Sequence, residues 1–373
     1  MLHSPVFGSL ANPHSDFLGD SLMSFSFSPF PIKPPWTLHP INTQVFFSQL
    51  MAKFLLLFFI VSAVPVAIIL HLETAGKPST HTIEYGSTGW FRECAKWDEE
   101  GRRFIVTFFG GGVGQIAVPL DDGDSSVLLE TPVVKDGDLY GNASLGLTID
   151  RRRNRLLVAV SDVFGNRYSA LAAYDLSTWN RLFLTELGGP ESEKSFADDV
   201  AVDEEGNAYV TDTRGNKIWK VGADGVLKHI ISSPLFTPKE WYKNFVGLNG
   251  IVYHPNGYLL VVHTFSGNLY KVKPLSKGDE VTIVPVVEGG SLIFGDGMEL
   301  VSSDKLVVAG NPTRLVESSD DWGSARVVGK FSGPIHRLST AATVKDGRVY
   351  ISHMIGMGYP HRKHMLIEAE FCP

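Results

Sequence analysis

The sequence predicts an all-β chain whose repeated units form a six-bladed β-propeller, closed by a strand from the start of the fold. Three observations lead there. One hairpin turn recurs six times, at Gly101, Asn154, Gly206, Gly257, Asp304 and Gly347, with spacings of 53, 52, 51, 47 and 43 residues. A period of about 40–50 residues with several short strands per unit is the mark of a propeller blade. Among the 373 residues, 37 Gly and 21 Pro favour many turns over long helices. The last unit also runs out one strand short, while one spare strand precedes the first unit.

Residues 1–50 are rich in Ser, Pro and Phe and carry no helical or strand period, so they are read as disordered or as an extension upstream of the true start. Residues 51–75 follow as a second segment. Met51 and Lys53 precede an uncharged run over residues 54–70, with Pro65 inside it. A basic residue, an apolar stretch and small residues make the layout of a secretory signal. Seventeen apolar residues also stand at the short edge of a membrane-spanning helix. Cleaved signal and retained anchor both remain open. Either places the remainder in the secretory pathway, as a secreted, lumenal or membrane-anchored protein, because Lys53 lies before the run. Asn142, in Asn142-Ala143-Ser144, is a glycosylation sequon consistent with that compartment.

Residues 76–373 are expected to form the propeller. The clearest unit, residues 199–221, reads as strand, turn, strand, turn, strand, and residues 250–272 repeat it. The spare strand is residues 81–85, HTIEY, expected to pair outside residues 364–371 and so remove an open edge. A net charge of −7 excludes a general nucleic-acid binder. Two cysteines, Cys94 and Cys372, exclude a disulfide scaffold and a cysteine-rich zinc module.

Eight residues before each turn marker stand Glu93, Gly146, Asp198, Asn249, Asp296 and Ser339. Each is expected at the entry of its blade's innermost strand, so all six face one mouth of the central channel. Four of them carry a carboxylate or amide. Three carboxylates at about 5 Å repel by roughly 3 kcal/mol per pair at an effective dielectric of about 20. Protons or a cation must relieve that. An all-oxygen set suits Ca²⁺, other divalent cations remaining possible, better than zinc. Capping of strand entries by these side chains is the plainer alternative.

Three segments, Arg92-Glu93-Cys94-Ala95-Lys96-Trp97, Leu248-Asn249-Gly250-Ile251 and Gly295-Asp296-Gly297-Met298, resemble the metal-binding motifs of the senescence marker protein/gluconolactonase/regucalcin-like family. That group belongs with other calcium-dependent six-bladed propellers, the paraoxonases and diisopropylfluorophosphatases. The resemblance covers about residues 85–371 and implies a divalent cation held by Glu93, Asn249 and Asp296. It places Asp198 where relatives carry an Asn touching metal or substrate, and gives Asp296 a role in the chemistry. Phe196 stands where regucalcin-like lactonases carry a substrate-binding Arg. Units such as residues 206–221 also resemble the NHL repeat, a mainly binding-type propeller.

The expected function is a calcium-dependent hydrolase of lactones or esters, phosphotriesters included, acting as a monomer on a small molecule. Asp296 is the candidate base or nucleophile and His336 a candidate proton shuttle. The alternative is a non-catalytic propeller that binds a protein or glycan around a structural cation. A strictosidine-synthase-like role is a third reading. His263 and His353 are expected to be packing or surface residues, and Trp90, Trp97, Trp219 and Trp241 to be blade packing. The glycine run over residues 109–114 reads as a loop, since no helix follows it.

Overall fold

The computed structural model describes residues 43–75, 80–119, 128–189, 193–275 and 278–372. Residues 1–42, most of the segment read as disordered from the sequence, lie outside the described residues. The chain divides into two compact units, Met1–Pro65 and Val66–Pro373. One helix, Thr43–Ala75, crosses that division with Pro65 inside it. It begins upstream of Met51, so the stretch from Thr43 onward is helical rather than without structure. Its Ser48–Glu73 portion, with a mean hydropathy of 2.7, is long and apolar enough to cross a membrane.

The remainder is six antiparallel sheets, one per blade. Blade 1 runs outward through Ala95–Asp98, Arg103–Thr107, Val113–Ala117 and Thr131–Val134. Blade 2 comprises Ala143–Asp150, Arg155–Ser161, Ser169–Asp175 and Arg181–Gly188. Blade 3 is Ala197–Val202, Ala208–Asp212, Lys217–Val221 and Leu227–Ser232. Blade 4 is Leu248–His254, Tyr258–His263, Leu269–Lys273 and Glu280–Val284. Blade 5 is Met298–Ser302, Lys305–Val308, Thr313–Glu317 and Ala325–Phe331, with Val286–Glu288 added in parallel outside. Blade 6 takes Ser339–Lys345, Arg348–His353 and Arg362–Glu368 from the end of the chain.

The fourth strand of blade 6 is Thr82–Ser87, antiparallel to Arg362–Glu368 from Thr82 opposite Ile367 to Ser87 opposite Arg362. This is the closure expected from the missing strand. Leu128–Leu129 then pairs in parallel outside it, so the added strand is itself covered. Tyr85, 1% exposed, seals the seam and stacks on the His364 ring at 5.3 Å between centroids.

The recurring turn has a local cause. A tight hairpin needs a residue with positive φ. Asn154 (φ 48°), Gly206 (φ 87°), Gly257 (φ 86°) and Gly347 (φ 75°) supply it in four units, and Arg102, beside Gly101, in a fifth. At Gly206 the positive φ strains any other residue, and a Cβ would also have to displace the end of the Arg153 side chain, 2.3 Å away. Between blades the core is aliphatic and aromatic, with Tyr209, Trp219, Tyr258, Tyr270 and Trp322 all at 2% exposure or less. Trp97 and Trp219 are packing residues, as expected. Trp90 and Trp241 are not: they are 49% and 73% exposed.

Removing the seam aromatic should open the ring. Tyr85→Ala is expected to cost about 3–5 kcal/mol, the usual loss for truncating a buried aromatic. Urea unfolding should show it as a lower midpoint; an unchanged midpoint would count against closure as a major source of stability.

Candidate functional site at the channel mouth

Four of the six inner strands, those of blades 2, 3, 4 and 6, do not enter the channel as plain strands. Their pairing registers slip between Ser144 and Leu147, Ala197 and Val200, Leu248 and Ile251, and Ser339 and Ala341. These are β-bulges, which bend a strand and re-aim its side chains. In an unbroken strand neighbouring residues point to opposite faces. At the blade 3 bulge, Asp198 and Asp199 line one cavity together.

That cavity has a volume of about 10 Å³, room for one water-sized sphere. Glu93, Cys94 and Lys96 of blade 1, Gly146 of blade 2, Asp198 and Asp199 of blade 3 and Asn249 of blade 4 line it, with Gly297, Thr340 and Ala341. Asp296 joins through its hydrogen bond with the Asn249 side chain and through its charge, which acts on Glu93. Beyond Lys96 the channel widens into a second cavity of about 280 Å³, which Lys96, Asp199, Tyr253, Glu299 and Thr343 help to line. Lys96 and Asp199 are common to both.

Close approach of the inner strands explains the glycine among the six mouth positions. A Cβ on Gly146 would lie 2.3 Å from the Asp199 carboxylate and 2.6 Å from the Asp198 carbonyl. The sixth position, Ser339, is buried, and its hydroxyl has no hydrogen-bond partner among the described residues. Hydrogen bonds fix the others. Thr213 Oγ1 donates to Asp198 Oδ2 at 2.9 Å. Thr340 Oγ1 donates to the Glu93 carbonyl at 2.5 Å. Arg92, next to Glu93, forms a bidentate pair with Glu130 at 2.5 and 2.7 Å and lies over the Phe108 ring.

Charge is crowded here. Burial, then repulsion from Asp296, Asp198 and Asp199, pushes the Glu93 carboxyl well above its ordinary range. Burial, then Asp198 and Asp199, does the same to Asp296, opposed by the Asn249 hydrogen bond. Asp198 is pushed up to about 7 by burial, against the Thr213 hydrogen bond. Asp199 is pushed up to about 6 by burial, offset by Lys96 and the N–H groups of Val200 and Ile251. Burial opposes the Lys96 ammonium, yet Glu299, and more weakly Asp199, hold it above its usual range. Lys96 Nζ donates to Glu299 Oε2 at 2.5 Å and to the carbonyls of Ala342 and Met298 at 2.9 and 3.1 Å.

Among the described residues, no three His, Cys, Asp or Glu side chains are arranged as a finished metal cage. The donor chemistry nevertheless fits a hard divalent cation: oxygen groups from four blades, a cavity of ionic size, and buried carboxylates forced toward protonation. Asp199 and Lys96 were missed in sequence. The adjacent Asp198-Asp199 pair was a usable signal, but only a bulge turns both inward.

Of the other sequence candidates, His336 does not line this cavity. Its Nε2 lies 2.5 Å from Glu73 Oε1, and the buried Arg337 guanidinium binds both oxygens of the same carboxylate at 2.7 and 2.6 Å. His263 and His353 are buried, and burial lowers both to about 4. Half-buried Phe196 is held by its backbone N–H donating to Asp212 Oδ1. Asn142 is partly exposed in the loop before blade 2, while the Ser144 hydroxyl of its sequon is buried and accepts from the Gly112 N–H.

No family model and no curated protein sequence matches the chain. Solved structures do. A presumptive gluconolactonase aligns at 14% identity with a TM-score of 0.52, covering 79% of this chain and 94% of its own. A protein of unknown function from Bacteroides caccae aligns at 13% identity and TM-score 0.47, over 65% of this chain and 82% of its own. A streptogramin B lyase aligns at 11% and 0.46, over 77% and 97%. The first of these likenesses is one of fold.

The crowded carboxylates give stability a definite pH dependence in metal-free buffer. Unfolded aspartates release their protons near pH 4. Folded Asp199 and Asp198 keep theirs to about 6 and about 7. At these two carboxyls the folded state therefore binds more protons across that window, so their own contribution to stability falls as pH rises through it, while His263 and His353, lowered to about 4, act in the opposite direction. Between pH 4 and 7 the melting temperature of chelated parent should lose ground to that of chelated Asp198→Asn, in which the aspartate's share is removed and the histidines are unchanged. A difference between parent and variant that stays constant across the window would contradict the assignment.

Proposed function

We propose that this chain is a calcium-dependent hydrolase of lactones or esters acting at the channel mouth. The observation that supports the proposal is that Glu93, Asp198 and Asn249, from three blades, line one buried cavity, with Asp296 of a fourth hydrogen-bonded to Asn249 and acting on Glu93 through its charge. Glu93 and Asn249 would hold the cation, and Asp198 would be a further ligand or substrate contact. A bound Ca²⁺ supplies polarisation of the substrate oxygen and a lower pKa for water. Asp296, whose affinity for a proton is raised by burial and then by Asp198 and Asp199, is suited to take one from the attacking group. Arg92, clamped to Glu130, orients the segment carrying Glu93.

The helix Ser48–Glu73 is proposed to deliver the propeller to the secretory pathway or to anchor it there, with Asn142 as the glycosylated residue. A second reading, a non-catalytic propeller that binds a protein or glycan around a structural cation, is favoured by Phe196 in place of an arginine at the mouth.

A panel of lactones and aryl esters assayed with and without chelator separates the two. Turnover should require the cation. Asp296→Asn, which keeps an oxygen ligand and removes the base, should lower kcat by about 10²–10⁴-fold. Calcium should raise the melting temperature of the parent, as any ligand confined to the folded state does. A calcium-dependent melting shift without turnover of any substrate would favour the second reading. No shift and no turnover would defeat both.

A further inference from the structure

The two mouths of the propeller differ in kind. Because each blade is an antiparallel meander, the loop before every innermost strand and the loop between second and third strands open on the same side as the candidate site. On those loops the described residues expose Phe164 (94%), Tyr359 (90%), Tyr140 (88%), Trp241 (73%), Ile335 (69%) and Trp90 (49%). They come from loops distributed around the ring. On the loops at the opposite mouth, the large exposed apolar residues among those described are Val226 and Leu275. Single exposed apolar side chains need no explanation, but a crown of them on one face does. Its mixture of Trp, Tyr, Phe and Ile is that of a bilayer interface, where an aromatic ring buries its apolar body and keeps its polar edge wet.

A second observation says what covers this face. Residues 66–75, the end of the apolar helix, belong to the same compact unit as the blades. Glu73 there is bound by Arg337 and His336, on the loop that carries Ile335. Leu70, the last residue of the uncharged run, lies three residues before Glu73, about 4.5 Å along a helix. Within the propeller's own unit, the apolar residues 66–70 therefore lead directly to the loop that carries Ile335.

We propose that the mouth bearing the candidate site is seated on a lipid bilayer, the crown side chains entering its headgroup region. The site then opens toward the lipid surface, and substrates partitioned there reach it without crossing bulk water. This rests on reading Ser48–Glu73 as a membrane segment and is independent of the hydrolase reading.

The test uses the full chain reconstituted in phosphatidylcholine vesicles, with Trp36 replaced by Phe in every sample. Resistance to alkaline extraction reports insertion of the helix. Separately, tryptophan emission is compared between plain vesicles and vesicles whose acyl chains are brominated near the headgroup. Brominated lipid should quench part of the emission, and Trp90→Ser with Trp241→Ser should abolish the quenched component while circular dichroism stays unchanged. Unquenched emission from Trp90 and Trp241 that remains open to aqueous acrylamide would overturn the proposal, whether or not the helix resists extraction. Loss of acrylamide access together with cross-linked dimers and no bromolipid quenching would overturn it in favour of a contact between copies.

Discussion

The pairing of Thr82–Ser87 with Arg362–Glu368 is the constraint on which the rest of this propeller depends. Six twisted sheets around an axis form a ring only if the first and last segments share a blade; otherwise one sheet edge stays open. Here six residues from the start of the fold complete the last blade, with Tyr85 buried in the seam. The closing strand leads directly into the mouth. Arg92 donates to Ser87 Oγ at 2.6 Å and is clamped by Glu130, so Glu93 is placed by the seam itself. A ligand group of the candidate site and the latch of the ring are thus neighbours in one short segment.

Closure brings inner strands so near the axis that two things follow. Side chains must be omitted where neighbours meet, as at Gly146, Gly250 and Gly297, where an added Cβ would lie 2.3–2.7 Å from backbone or carboxylate oxygen. The side chains that remain are concentrated and dry. At about 3 kcal/mol per pair for charges near 5 Å apart, several ionised carboxylates there would cancel much of a domain's net stability of about 5–15 kcal/mol. The fold answers partly with Lys96, whose ammonium ties blade 1 to carbonyls of blades 5 and 6 and to Glu299. The remainder must be met by protons or by a cation.

The two ends of the channel have separate characters. Past Lys96 and Asp199 lies the wider cavity, away from the aromatic crown. At the site's end, apolar side chains face outward around a ring of buried acid.

The sixfold repeat, the all-β class and the spare strand were readable in the sequence, because hairpin turns demand particular residues at positions set by strand length. Glu93, Asp198, Asn249 and Asp296 could be picked out for the same reason: each stands at a fixed distance before its turn marker. Asp199 and Lys96 could not. Both lie on inner strands, and the simple alternation of strand side chains gives no warning that a bulge points Asp198 and Asp199 together, or that Lys96 spans to blades 5 and 6. His336 was misleading in the opposite way, being near the mouth in sequence but engaged by Glu73 in space. Local pattern records backbone geometry over a few residues. Which carboxylates share a cavity, which aromatics are left outside and which cation balances them are decided only when strands more than two hundred residues apart, as Lys96 and Glu299 are, meet at the axis.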